Sequence, residues 1–254
     1  MRLAAIWRYP VKSLRGERVA RAHLSPTGIV GDRHYGLLDV ASGTILSAKR
    51  EGRLLEAQAL LAGSELTIRL PTGETALGLG PNVDRALSAW LGYPVQLVEA
   101  AAGGRATYQN VSDFTDDSSP LTSWEGPEGS FADSSPVHVL TTSTLRAATG
   151  HRPDLAWEVA RFRPNLLVET TDQGTVEQGW IGRPLHIGEA RLTVRKGCSR
   201  CVMTTRPQPG GLTRQLDILR HINANYDGWL GVLAGVERPG PVAEGEPVTV
   251  DPVG

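Results

Sequence analysis

Apolar and polar positions along this 254-residue chain fall into short runs broken by glycine, proline and small polar residues, a pattern of strands and turns rather than long helices. Leu3–Trp7 reads as an apolar strand that leaves through Tyr9, Pro10, Lys12 and Ser13, and Gly31–Asp39 reads as a turn entering a second strand. Leu66–Leu70 alternates, Pro71–Glu74 turns, Asn82–Leu91 has the spacing of a capped helix stopped at Gly92, and Val95–Val98 is the next strand. From Ala100 to Ser135 the composition shifts to Gly, Ser, Asp, Pro and Thr, which predicts a loop containing a domain boundary. Pattern resumes with a strand over Pro136–Leu140, a short helix opening at Ser143 and another over Asp154–Arg161. Further strands are predicted over Asn165–Val168, Arg183–Ile187, Ala190–Val194 and Val248–Val250. The sum is an α+β, β-rich chain: an N-terminal mixed strand and helix unit over residues 1–115, packed on a β-barrel-like unit over residues 116–254.

A hydrophobic content of 40% supports a real core, and a net charge of -1 offers neither a basic field for nucleic acid nor an acidic tail. The apolar stretch before Arg8 is too short for a secretion signal and no run approaches a membrane span, so the expected location is the cytoplasm. Of the 26 cations only Lys12, Lys49 and Lys196 are lysines. Asp113, Asp116 and Asp117 sit in the loop and read as solvated or turn-forming rather than as a metal site.

Chemistry concentrates at Lys196–Thr205, which holds both cysteines, Cys198 and Cys201, beside Arg195, Lys196 and Arg200. Positive charge favours the thiolate, the form that acts as nucleophile or soft-metal ligand. Other readings of the pair are a disulfide, disfavoured in a reducing compartment, and a zinc half-site, for which the six dispersed histidines supply no paired ligands. A redox Cys-x-x-Cys would open a helix, whereas here the chain runs into Pro207 and Pro209, and inert buried thiols fit poorly beside so much charge.

Eight pieces then stand in one order: Tyr9–Ser13, Gly31–Arg33, Leu46–Arg50 with Arg53, Asp133–Pro136, Arg161–Asn165, Trp180 with Leu185–Gly188, Cys198–Cys201 with Thr204 and Thr205, and Pro239 followed by Gly245–Val248. In that order they resemble the molybdenum cofactor sulfurase C-terminal (MOSC) domain family, preceded by its N-terminal β-barrel companion domain. Within it they resemble the amidoxime-reducing components of mitochondria and their bacterial counterparts. The resemblance implies a molybdenum-molybdopterin cofactor (Moco) between the two units and a molybdenum-pterin oxidoreductase that reduces N-hydroxylated or N-oxide compounds. It implies Cys201 as the catalytic thiolate on molybdenum, with Ser199 and Arg200 touching the cofactor. It assigns Lys12, Ser13, Arg33, Ser134, Ser135, Arg163 and Asn165 to the grip on its phosphate and pterin, and a phosphate suits such a set of Lys, Arg and Ser. Asp133 reads as a turn cap in preference to a proton-delivery group.

The expected partners are a small N-oxygenated substrate and a separate electron-transfer protein, since two cysteines cannot ligate an iron-sulfur cluster. Neither nucleic acid, membrane nor pyridoxal phosphate is expected. Arg206–Gly211 stands where the reductase relatives carry an acidic segment, so substrate access is expected to differ. The alternative function is a sulfur carrier in which Cys201 holds a persulfide for metal-sulfur centre assembly.

Overall fold

In the computed structural model, which describes residues 1–252, the largest sheet has eight strands. Their spatial order is Val248–Val250, Pro184–Ile187, Ala190–Ser199, Trp229–Arg238, Val137–Thr141, Leu166–Glu169, Arg2–Arg8 and Glu17–Val19. The first strand of the chain therefore pairs inside the sheet of the second half, with Ile6 opposite Leu166. Its start also meets the segment that leads into Val248–Val250, through Leu3 N to Glu246 O (2.9 Å) and Val248 N to Met1 O (3.0 Å). Those bonds bring the two ends of the strand run together around a core that includes Leu3, Ile6, Leu24, Val139, Val168, Leu192 and Val232. Burying this apolar set is the main force holding the unit.

A second core gathers Val11, Leu14, Leu37, Leu54, Leu66, Leu87 and Leu97 from a five-stranded sheet, a three-stranded meander over Gln58–Leu77 and the helix Pro81–Leu91. That helix carries proline in its first turn and ends where Gly92 takes φ 81° and returns its N–H to Ser88 O (2.8 Å). Among the described residues, no helix is long and apolar enough to cross a membrane.

Several elements depart from the sequence expectations. The segment expected as a loop contains an antiparallel hairpin, Thr107–Val111 with Leu121–Glu125, and residue 115 lies at its turn. Leu121–Glu125 is largely exposed, so it has no apolar alternation to betray it; its one anchor is Trp124, opposite the buried Tyr108. The helix expected over Asp154–Arg161 is confined to Val159–Phe162, because Arg152 is drawn into an ion pair with Asp154 and its carbonyl takes the Trp157 indole N–H (2.9 Å). The strand expected over Ala190–Val194 runs on to Ser199, which carries Lys196 and Cys198 into the sheet. Its neighbour Trp229–Arg238 needs Gly231, where a Cβ would run into the His138 ring and stand 2.8 Å from Val139 O.

Candidate active site

A cavity of about 350 Å³ opens where the two cores meet. All ten residues assigned by resemblance line it: Lys12, Ser13, Arg33, Ser134, Ser135, Arg163, Asn165, Ser199, Arg200 and Cys201. Lys49, Lys196 and Cys198 line it too, so every lysine and every cysteine of the chain borders one space. Asp133 is the one carboxylate among the lining residues.

The wall from the first half is built by a strained strap. Beyond Arg8 the chain turns with Ser13 in the left-handed region (φ 66°), its hydroxyl accepting from Ala48 N (2.9 Å). Arg33 is left-handed as well (φ 49°), tied by its backbone N–H to Tyr9 O (2.7 Å) and by its guanidinium to the buried Asp32. Arg163, at the end of the Val159–Phe162 turn, is the third (φ 53°). Such a conformation costs a non-glycine residue about 1 kcal/mol, and three of the four instances among the described residues border the cavity. The surroundings impose it: Arg33 and Arg163 both pack on the Tyr9 ring, at 4.9 and 4.1 Å, and the Tyr9 hydroxyl donates to Pro164 O (3.1 Å).

Asn165 links three pieces, donating to Trp7 O (3.2 Å) while its side-chain oxygen accepts from His138 N (3.1 Å) and from Arg33 (3.2 Å). Burial, reinforced by Arg200, pushes the His138 imidazole down to about 3, so the ring is neutral at physiological pH. Burial also lowers Arg163 to about 10, with Tyr9 opposing and Arg33 adding to the shift, and the group stays charged.

On the opposite wall Arg200 donates to Cys198 Sγ (3.0 Å) and to Phe162 O (2.9 Å), leaving its buried Nε without a partner. Both cysteines are free thiols, so the disulfide reading does not hold; Cys198 is buried and Cys201 is partly exposed. Cys201 sits at the head of the single turn Val202–Thr205, its carbonyl accepting from the Thr204 hydroxyl (2.9 Å). Arg161, fully buried, clamps the chain beyond that turn by donating to Arg206 O (3.1 Å) and Thr213 O (2.8 Å).

Asp133 corrects the expectation of a turn cap. Its carboxylate bridges Lys12 Nζ (2.6 Å) and Lys49 Nζ (2.9 Å). Loss of hydration against the cavity wall opposes its ionisation, but the two ammonium groups outweigh that and hold it far below the usual carboxylate range. Burial in turn lowers Lys12 to about 8, whereas for Lys49 the effect of burial is overcome by Asp133 and then by Cys201, and its pKa rises. Lys49 also lies over the Trp124 ring at 4.0 Å. Lys49 and Trp124 line the cavity without being among the residues that the resemblance assigns; the scarcity of lysine is the sequence signal that points to Lys49. The loop carboxylates behave as expected for two of three: Asp113 and Asp116 close local turns with Thr115 and Ser118. Asp117 instead pairs with the buried Arg206 and with Arg214 (2.9 Å).

Donors exceed acceptors in this cavity. Arg163 finds no acceptor for its guanidinium among the described residues, and the hydroxyls of Ser134, Ser135 and Ser199 make no side-chain hydrogen bond there. A ligand rich in anionic and carbonyl oxygens fits such a lining, with a thiol beside it.

The profile of the MOSC domain matches residues 127–249 and that of the MOSC N-terminal beta barrel domain matches residues 1–118. The chain belongs to the MOSC family. It is similar to mitochondrial amidoxime-reducing component 1 of Homo sapiens, 25% identical over 97% of this chain and 82% of that protein. It is also similar to the molybdenum cofactor sulfurase of Oryza sativa subsp. japonica, 27% identical over 82% of this chain but 29% of the sulfurase. Among solved structures, the YuaD protein of Bacillus subtilis aligns with this MOSC chain at TM-score 0.46 and 11% identity, covering 98% of this chain and 94% of that one.

Proposed function

We propose that this MOSC chain holds a molybdenum-bearing pterin in the cavity and reduces N-hydroxylated or N-oxide compounds. The observation that carries the reading is the gathering of all three lysines, both cysteines and the Arg163 guanidinium, which meets no acceptor among the described residues, around one space. Similarity to the amidoxime-reducing component supports the substrate class.

Among the described residues no three His, Cys, Asp or Glu side chains gather as a ligand set, so Cys201 would give one sulfur and the remaining donors would come with the cofactor. When bound, the molybdenum centre supplies a two-electron couple at a single atom. Reductive removal of an N-bound oxygen consumes two electrons and two protons and releases water. The chain's own share is binding and orientation. Lys12, Ser13, Arg33 and Arg163 would hold phosphate and pterin, Ser199 and Arg200 would hold the opposite edge, and the Asn165 and Tyr9 network keeps both arginines in place. Lys49, whose pKa is raised by Asp133 and by Cys201, is the proton-carrying group that the electrostatics tie to that sulfur. Both cysteines border this cavity, which leaves none for an iron-sulfur cluster, and electrons would arrive from a separate protein.

The test is metal and pterin analysis of the purified chain together with dye-driven reduction of an amidoxime. Wild type is expected to carry molybdenum and turn over; Cys201→Ser is expected to keep the pterin and lose turnover. Absence of molybdenum and pterin from protein made in a cofactor-sufficient host would overturn the reading.

The second reading, sulfur transfer through a Cys201 persulfide, is favoured by the similarity to the cofactor sulfurase and by the second sulfur, Cys198, in the same charged cavity. It is distinguished by a mass gain of one sulfur atom on Cys201 in protein free of molybdenum.

A further inference from the structure

Hydrogen-bond accounting at Lys12 exposes a conflict. An ammonium group has three protons. On Lys12 one goes to Phe131 O (2.8 Å), one to Asp133 (2.6 Å), and the Tyr108 ring face lies 3.8 Å from Nζ. The residue that should grip a phosphate therefore already has two of its three protons on oxygen acceptors and its charge against a ring face. Lys49 is held by fewer contacts, between Asp133 (2.9 Å) and the Trp124 ring (4.0 Å).

We propose that Asp133 is a resident counter-ion of a two-lysine anion site, and that an incoming phosphate group takes Lys12 and Lys49 by displacing its carboxylate. The proposal rests on the reading above for the cofactor that brings the phosphate, while the exchange itself is a property of these three side chains. The electrostatics favour a swap over simple addition. Two ammonium groups with one carboxylate carry a residual charge of one unit, and seating a phosphate dianion while Asp133 stays would put two acidic groups side by side. With Asp133 turned out, the dianion and the two lysines balance. Asp133 can leave because 45% of its side-chain surface is exposed, whereas the side chains of Lys12 and Lys49 are only 6% and 11% exposed. Without a carboxylate between them in the free protein, two buried cations would repel each other, so the residue also keeps the site assembled until the ligand comes. The same turn carries Ser134 and Ser135, both already bordering the cavity that Asp133 would vacate.

The experiment uses the full chain produced in a host that cannot make molybdopterin, with inorganic phosphate as the probe and thermal melting as the readout. Wild type is expected to bind phosphate weakly. Asp133→Asn removes the competitor and is expected to melt lower without ligand yet bind phosphate about tenfold more tightly, whereas Lys49→Met is expected to bind about tenfold more weakly than wild type. Asp133→Asn with unchanged or weaker phosphate binding overturns the exchange. Should that variant not fold, Lys49→Met decides alone: phosphate binding equal to wild type overturns the shared site. Failure of the cofactor reading shows separately, as absence of molybdenum and pterin from protein made in a competent host.

Discussion

Arg161 and Arg163 stand two residues apart, both buried and both bordering the cavity, yet they have opposite hydrogen-bond fates. Arg161 spends its guanidinium on backbone carbonyls of four residues, Ala156 (3.0 Å), Thr204 (3.3 Å), Arg206 (3.1 Å) and Thr213 (2.8 Å). Arg163 stacks on Tyr9, sits in a left-handed conformation and has no acceptor among the described residues. The difference teaches how to tell a structural cation from one left available: the first has consumed its donors inside the fold, and the second keeps them free at a cost in strain and desolvation.

The largest expected effect breaks the structural member of the pair. Arg161→Met leaves several buried carbonyls without a donor and should lower stability by roughly 3 to 5 kcal/mol in urea unfolding, detaching the 204–213 segment from its anchor. A loss below about 1 kcal/mol would show that Arg161 is no clamp.

Next comes the neutral ring between the two walls. His138 is held at about 3 in the folded state against an ordinary 6.5, so the unfolded chain binds more protons below pH 6.5. Its contribution is fully present above pH 6.5 and is lost as pH falls toward the folded value. Between pH 6.5 and 5 that amounts to about 2 kcal/mol for one site. Stability of wild type and of His138→Gln, measured at pH 7 and pH 5, should diverge by that amount, with the variant the less pH-sensitive. Equal pH slopes would mean the ring is protonated in the native state.

The smallest expected change in stability is the one that sharpens the contrast. Arg163→Gln removes donors that pair with nothing in the fold, so stability should move by less than about 1 kcal/mol, while the pterin retained by purified protein should fall steeply. A large loss of stability with pterin unchanged would reverse the roles assigned to the two arginines.

The fold was legible wherever apolar spacing was strong. The strand read over Leu3–Trp7 is Arg2–Arg8, and the helix read over Asn82–Leu91 is Pro81–Leu91. It was illegible where partners supply what the local pattern lacks: the exposed strand Leu121–Glu125 exists through its ladder to Thr107–Val111. The candidate residues themselves were visible as motifs, since Cys-Ser-Arg-Cys and Arg-Phe-Arg-Pro-Asn are unusual strings. Lys49 was hidden because its role depends on a carboxylate 84 positions away in the chain.

By itself the sequence determined the strand-rich class, the family, and the supply of charge and sulfur: three lysines, two cysteines and an excess of arginine. Only the tertiary structure decided which of those groups remain available. A guanidinium or ammonium has a donor capacity set by its residue type, but the acceptors that exhaust it come from distant segments. Arg161 meets the 204–213 carbonyls, Lys12 meets Asp133, and Arg163 meets an aromatic face alone. What this cavity can offer a ligand follows from what the fold leaves unpaired.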